Sequence, residues 1–362
     1  MSLHAICPPK LILPNQGSTI AGRIVDRFSD GILFKNYFPE EATGLVLRAY
    51  GSSAFAGQAA WARKPGTSGC FPTGALASLY GSVFLFVPFS LEHTIEINYL
   101  TDSVSIRAVA WTDQDVVFLD DPIDISFSGD GWITRDLSSQ CLGAVALIIL
   151  AFRLDPVVFG GVKPFGSDSV ISTQAVIGNR TDYLIPCAGH RKVDICSVST
   201  HPTSYYVIGY VKKGVYGLPT PKDVSLTETG TYKDIDIKSS IFGASMAIVL
   251  VRANISKWTL RDKNDSTDYY GTFGCGACAI VSVLTNGVIE GEVGFVNANT
   301  GFHLIGAIIE PYRMSLSNLR IPYEDVDQSK ELHLKLENLS PTSKSQGEDG
   351  EVSIEVTYGP AS

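Results

Sequence analysis

Hydrophobic and polar residues alternate with a period of two at many places along the chain. Thr94-Ile95-Glu96-Ile97, Asp124-Ile125-Ser126-Phe127, Lys233-Asp234-Ile235-Asp236-Ile237, Leu332-His333-Leu334-Lys335-Leu336 and Val352-Ser353-Ile354-Glu355-Val356 all follow it. Such alternation puts one face in a core and the other in water, which predicts half-buried antiparallel strands. Residues 144–152 and 246–251 depart from it and are almost wholly apolar. These predict central strands covered on both faces. Gly, Asp and Asn clusters punctuate the pattern at Ser128-Gly129-Asp130-Gly131, Lys213-Gly214, Glu228-Thr229-Gly230 and 297–301. They predict turns between short strands. Only residues 54–63 read as a helix.

The strands recur. Pro122-Ile123-Asp124-Ile125-Ser126-Phe127 matches Pro221-Lys222-Asp223-Val224-Ser225-Leu226. Ser138-Ser139, Gly143-Ala144 and the apolar run after them match Ser239-Ser240, Gly243-Ala244 and the run ending at Val251. Val87-Pro88 and Thr94 to Ile97 match Ile185-Pro186 and Lys192 to Ile195, and Ser103 to Val109 matches Ser204 to Tyr210. Phe302 to Gly306 echoes Tyr205 to Gly209, Pro322 to Val326 echoes the Pro-x-Asp motif, and 331–336 and 352–356 supply two closing strands. Order and spacing kept together at about one hundred residues indicate duplicated units. The expected fold is therefore all-β: tandem antiparallel β-sandwich or jelly-roll-like domains. Taking each apolar run as a final strand sets the boundaries at 54–153, 154–253 and 254–362. Residues 1–53 become an incomplete N-terminal copy, and 343–350 a hairpin loop or insertion in the last one.

The chain has 362 residues, 45% hydrophobic and 18% charged, with 34 glycines. That is ample apolar content for a packed core and too little charge for a disordered chain. A net charge of −9 argues against nucleic-acid binding, which needs a basic face. No apolar run reaches the ~18–20 residues of a membrane helix, and the N-terminus lacks a cationic and then apolar leader. Seven cysteines, odd in number and scattered, read as reduced and mostly buried thiols. Without a secretory leader, the sequons at Asn179, Asn254, Asn264 and Asn338 read as accidental.

The chemistry-bearing motifs are sparse. There is no G-x-S-x-G, P-loop or H-E-x-x-H, and the six histidines lie far apart. His93 and His190 occupy similar points in their copies and read as surface turn residues. Cys275-Gly276-Ala277-Cys278 lacks the second pair of a zinc ribbon, so structural thiols are favoured over metal or redox chemistry. Asp113, Asp115, Asp120 and Asp121 are calcium candidates by residue type, with Asp124 close by. Their spacing is not that of an EF-hand, and a solvated loop face is the favoured reading. Tyr205, Tyr206, Tyr210 and Tyr216, with Trp111 and Trp132, are the ligand or interface candidates. Such rings stack on sugars from a β-sandwich, but they also fill a core or a subunit contact, which is the favoured reading.

Repetition without a catalytic constellation is what a building block needs. The leading expectation is a non-enzymatic assembly protein, most plausibly a virion component: a capsid, spike or phage appendage subunit. It would fold in the host cytoplasm and use no cofactor. Its partners would be itself, as a homo-oligomer, and other structural subunits. End loops would be available for host attachment to a surface glycan or protein, with no nucleic acid bound and no membrane insertion. The alternative is a carbohydrate-binding or adhesin-like multi-module protein, and an enzyme is the weakest reading. In this scheme the N-terminal copy would complete its sheet by strand addition to another sandwich or subunit.

Overall fold

The computed structural model describes residues 3–13, 24–25, 38–51, 60–63, 81–91, 93, 95–99, 104–152, 158–167, 173–175, 180–187, 189–200, 202–252, 257–263, 270–273, 277–283, 287–294, 296, 301–309, 330–336 and 354–360. Every regular element among them is a β-strand, and every strand pairing is antiparallel. The chain divides into two units, residues 1–311 and 312–362.

Three successive windings make up the first unit. The first holds β1 (Leu3–Leu13), β2 (Ile24–Val25), β3 (Gly44–Gly51), β4 (Ala60–Arg63), β5 (Gly81–Pro88), β6 (Glu96–Tyr99) and β7 (Val104–Thr112). The second runs β8 (Val116–Asp124), β9 (Gly131–Asp136), β10 (Ala146–Phe152), β11 (Val158–Pro164), β12 (Thr173–Ala175), β13 (Arg180–Pro186), β14 (Lys192–Ser197) and β15 (Ser204–Val211). The third runs β16 (Val215–Asp223), β17 (Lys233–Asp236), β18 (Met246–Arg252), β19 (Lys257–Asp262), β20 (Tyr270–Phe273), β21 (Ala277–Ser282), β22 (Val288–Val293) and β23 (Gly301–Ile308).

In the second winding the sheets are ordered β13-β10-β15-β8 and β12-β11-β14-β9, and in the third β16-β23-β18-β21 and β17-β22-β19-β20. Both put the first, eighth, third and sixth strands in one sheet and the second, seventh, fourth and fifth in the other. That wrapped pairing is a jelly roll. The first winding matches it with β1-β7-β3-β5 and β2-β6-β4. Residues 64–80, between β4 and β5, lie outside those described. The repeat read from the sequence thus pairs equivalent strands, β8 with β16, β10 with β18, β5 with β13, and β7 with β15 and β23.

Equivalence extends to local backbone. The eighth strand bulges once in each roll against the third, with Val109, Ile208 and Ile305 the unmatched residues. A bulge twists and bends its strand, so keeping it at one position keeps the same sheet curvature in all three rolls. Gly209 and Gly306 follow two of these bulges. A Cβ there would lie 2.6 Å from the Val117 carbonyl or 2.4 Å from that of Tyr216, closer than a side chain permits. The turn between the sixth and seventh strands carries a left-handed residue in every roll: His93, Arg191 and Gly287, with φ of 56°, 52° and 73°. Gly287 takes that conformation without the strain a Cβ adds to the other two.

The boundaries differ from those expected. Positions 54, 154 and 254 fall between the third and fourth strands of each roll, and the chain passes between rolls at 113–115 and 212–214. The apolar runs mislead because the third strand is central in its sheet and buried on both faces, which by composition looks like an end point. Residues 1–53 are not an incomplete copy. They supply β1, β2 and β3 of the first roll, so no strand from elsewhere is needed to close its first sheet. Ala60–Arg63 is a strand pairing β6, not a helix, while 54–59 lie outside the described residues. Residues 331–336 and 354–356 do not close the third roll, which is complete at β23.

The second unit is described as one hairpin, β24 (Lys330–Leu336) with β25 (Ile354–Pro360). Its register sets Leu332, Leu334 and Leu336 opposite Tyr358, Val356 and Ile354. Residues 322–326 and 343–350 lie outside the described residues.

Deleting residues 1–53 removes two strands of the first roll's four-stranded sheet. The expected outcome is loss of the whole roll, seen as rapid proteolysis within residues 54–112 and a lower unfolding midpoint. A truncated chain with wild-type protease resistance and midpoint would overturn this assignment.

Candidate functional site

The sixth strand of each roll, β5, β13 and β21, sits at an edge of its sheet. A bare edge displays unpaired N–H and C=O groups that would recruit another strand. Here the three edges turn toward one another, and β5, β13 and β21 touch pairwise. The main hydrophobic cluster draws buried residues from all three rolls, including Phe84 and Phe86, Tyr183 to Ile185, and Ala277 to Val281. Burying each large side chain of this kind contributes about 1.5–3 kcal/mol, so the rolls share one core.

Two polar contacts fix this junction. Asp182, fully buried on β13, accepts a 2.8 Å hydrogen bond from the backbone N–H of Phe86 on β5. A carboxylate here satisfies a donor that the edge of β5 would otherwise bury unpaired. On the other side, the Cys278 thiol of β21 donates to the Leu184 carbonyl of β13 at 3.8 Å. The middle roll's edge strand is thereby tied to both neighbours. Neither residue announced this role in the sequence. The only signal was a lone charge, Asp182, directly before the apolar run Tyr183-Leu184-Ile185.

The crossings between rolls form a second node. His4 stacks on Trp111 at 3.6 Å and an interplanar angle of 5°, with its Nε2 3.2 Å from Asp113 Oδ2. Asp113 Oδ1 accepts from the Asp115 N–H at 2.8 Å, which shapes the turn into β8. Asp115 then meets the next crossing, its carbonyl accepting from the Lys212 N–H at 2.8 Å and its carboxylate lying 3.4 Å from Lys213 Nζ. Asp120 and Asp121 stand exposed along β8. The four acidic calcium candidates are thus divided between a turn and a strand. Among the described residues, no group of three His, Cys, Asp or Glu side chains is placed to hold a metal ion.

The aromatic candidates separate in the same way. Tyr205 is 1% exposed, and its hydroxyl donates to the Cys196 carbonyl at 2.6 Å and accepts from the Gly161 N–H at 2.9 Å. It ties the two sheets of the middle roll together and is a core residue, not a ligand platform. Burial alternates along β15, which puts Tyr206 and Tyr210 half-buried on the opposite face. Trp132 is half-buried with the Lys163 ammonium 4.7 Å above its ring, and Tyr216 is exposed at the start of β16. No flat row of rings results.

The described thiols are free and buried at Cys141, Cys187, Cys196 and Cys278. Burial pushes the Cys141 thiol up to about 11, and those of Cys187 and Cys278 up to about 12. Such groups carry almost no thiolate near neutral pH, which fits structural packing. Asp136 moves the other way, to about 2, held down by hydrogen bonds from Ser138 and then by Lys192. An open cleft of about 500 Å³ lies between the end of β16 and β17. Its charges are engaged locally, Lys233 with Glu228, and Lys222 with the hydroxyls of Ser239 and Ser240.

No protein-family model and no curated protein matches the chain. Among solved structures it shows a weak likeness to a chain from the triple jelly roll fold and turret assembly of an archaeal virus. The identity is 10% and the TM-score 0.19, over 74% of this chain and 80% of that one. A second weak likeness is to a chain from the atomic structure of Sulfolobus Turreted Icosahedral Virus. There the identity is 9% and the TM-score 0.20, over 76% of this chain and 82% of that one. Values this low establish neither a shared arrangement nor a shared role. The jelly-roll assignment rests on the strand pairing above.

Replacing Asp182 by Ala should cost about 2–4 kcal/mol in urea unfolding, because it leaves the Phe86 N–H buried without an acceptor. Asp182→Asn, which keeps an acceptor oxygen, should recover part of that loss. In the native chain at pH 8, a maleimide should leave Cys141, Cys187 and Cys278 unmodified by mass spectrometry, and label them once urea is added. Labelling of Cys278 at the native rate of an exposed thiol would contradict its place in the junction.

Proposed function

We propose that the chain is a structural building block of a virion: a capsid, spike or appendage subunit that assembles with copies of itself and with other coat proteins. The observation that carries this reading is the burial of β5, β13 and β21 against one another. It welds three jelly rolls into one block with a common core, a construction that confers shape and rigidity. Of the residues singled out for other chemistry, Asp113 and Asp115 shape a crossing turn and Tyr205 ties two sheets together. Subunits of this kind fold in the host cytoplasm and work without a cofactor. The chain is accordingly proposed to be non-enzymatic, and its acidic balance suits protein partners better than nucleic acid. Contact with a host glycan or protein falls, in this reading, to loops at one end of the rolls. No helix among the described residues is long and apolar enough to cross a membrane.

The test is the mass of the purified full chain by light scattering after size exclusion, with negative-stain imaging of the peak. Assembly predicts a defined multiple of 39.0 kDa and regular particles. A monomer that persists at ~100 µM, where even weak specific contacts are populated, would overturn the reading.

A further inference from the structure

The second and third rolls match bond for bond where the first strand gives way to the second. Asp124 and Asp223 each accept a hydrogen bond from the N–H two residues on, at 2.9 Å. The Ile125 and Val224 N–H groups donate at 2.9 Å to the carbonyls of Tyr205 and Phe302. The N–H groups of Tyr205 and Phe302 donate in turn to the hydroxyls of Ser126 and Ser225. Facing these segments is the second strand, where Arg135 pairs with Val193 and Ile235 with Ile289 in the same register.

What fills the mouth between them differs. In the second roll Arg135 closes it, its Nε donating to the Ile125 carbonyl at 2.9 Å and its Nη2 to the Ser126 carbonyl at 2.7 Å. In the third roll Ile235 holds that position, too short to cross and without a donor. Its Cδ1 turns instead toward Gly291, 2.9 Å from where a Cβ there would sit. The register puts Ile195, fully buried, at the place of Gly291 one roll earlier. Isoleucine at 195 fills the core and leaves residue 135 to span the mouth, whereas glycine at 291 draws residue 235 inward and empties it. The result is the cleft of about 500 Å³ between the end of β16 and β17. Among the described residues, no side chain hydrogen-bonds to the carbonyl of Val224 or Ser225, the counterparts of the two that Arg135 takes.

The charges fit a cation. The lining carries three carboxylates, of Glu228, Asp234 and Asp236, against the ammonium groups of Lys222 and Lys233. Lys233 is paired with Glu228, and Asp234 with Lys263. The Lys222 ammonium is held 3.2 and 2.8 Å from the hydroxyls of Ser239 and Ser240, and Asp236 accepts from the Ser239 N–H. Adding Lys263 and the neighbouring Asp223 leaves the carboxylates in excess by the same one charge. A ligand that takes both open carbonyls needs two donors in a fixed plane, which a guanidinium has and an ammonium lacks.

We propose that this cleft receives an arginine side chain of a partner protein, whose guanidinium takes in the third roll the place that Arg135 takes in the second. The proposal rests on the assembly reading, in which that partner is another coat protein, and gives it one contact of defined chemistry.

The test uses the full chain labelled at its isoleucine δ1 methyl groups, because Ile235 lines the cleft and reports on it directly. Titration with the capped tripeptide Gly-Arg-Gly should shift the Ile235 methyl resonance to saturation, and capped Gly-Lys-Gly should bind at least about tenfold more weakly. Arg135→Ala should lower the unfolding midpoint and open the matching mouth in the second roll. Methylguanidinium should then restore part of that loss, and methylammonium should not. An Ile235 methyl unmoved by the arginine peptide, or equal binding of the two peptides, would overturn the proposal while leaving the assembly reading to the particle mass. Equal rescue by the two small cations would overturn the selection of a guanidinium. A chain that binds the arginine peptide at Ile235 but stays monomeric at ~100 µM would keep the cleft and overturn the assembly reading.

Discussion

Everything in the first unit depends on where three sheet edges go. A jelly roll closes most of its backbone hydrogen bonding, yet its sixth strand still borders a sheet. Left in water, three such edges on one chain would invite strand pairing with any neighbour. The chain resolves this by turning β5, β13 and β21 inward, where apolar side chains cover them. Where a donor would still be stranded, Asp182 meets it. The same arrangement explains why β10 and β18 are apolar throughout. They lie beside the buried edges and are buried on both faces along their length. Burial on both faces removes the alternation that a sandwich strand normally shows.

That loss of alternation also explains which parts of the fold were legible. The period-two segments, the turns and the hundred-residue repeat reflect local chemistry, and the matched segments described within the three rolls lie at equivalent places. The phase of the repeat depends on long-range pairing. Nothing in Leu147-Ile148-Ile149-Leu150 says whether it ends a domain or sits third of eight, and the difference moved every boundary by half a roll. The junction was less legible still. Asp182 gains its meaning only from Phe86, 96 positions away, and Cys278 from Leu184, 94 away. Tyr205 read as a core or interface ring in preference to a ligand platform, but that its hydroxyl would span two sheets was not legible.

The crossings show why covalent fusion matters. Both connections between rolls are short and lie at one end, where Asp113, Asp115, Lys212 and Lys213 lock them together. A short tether fixes order and orientation, so the rolls assemble at a high effective concentration rather than by collision. It also frees the three copies to diverge. A homotrimer must repeat each surface residue three times around its axis, and any charge placed on one turn recurs on the others. In the fused chain equivalent turns can differ, as where Lys238 stands at the point that Ser138 occupies one roll earlier.

Divergence of this kind leaves its mark in the turns. Leu142 and Phe242 occupy matching positions and stay apolar, which is unfavourable for a solvated loop and needs a reason beyond folding. Around them the residues that shape backbone persist, with glycine at 143 and 243 in the same left-handed conformation, φ 77° and 74°. The aspartates before them recur too, Asp136 and Asp236 each accepting from the backbone N–H of a turn serine, while Lys238 stands where Ser138 does one roll earlier. Equivalent backbone thus keeps Leu142 and Phe242 at the same place in their rolls. The inward edges make the block, and the repeated turns fix where its apolar tips stand.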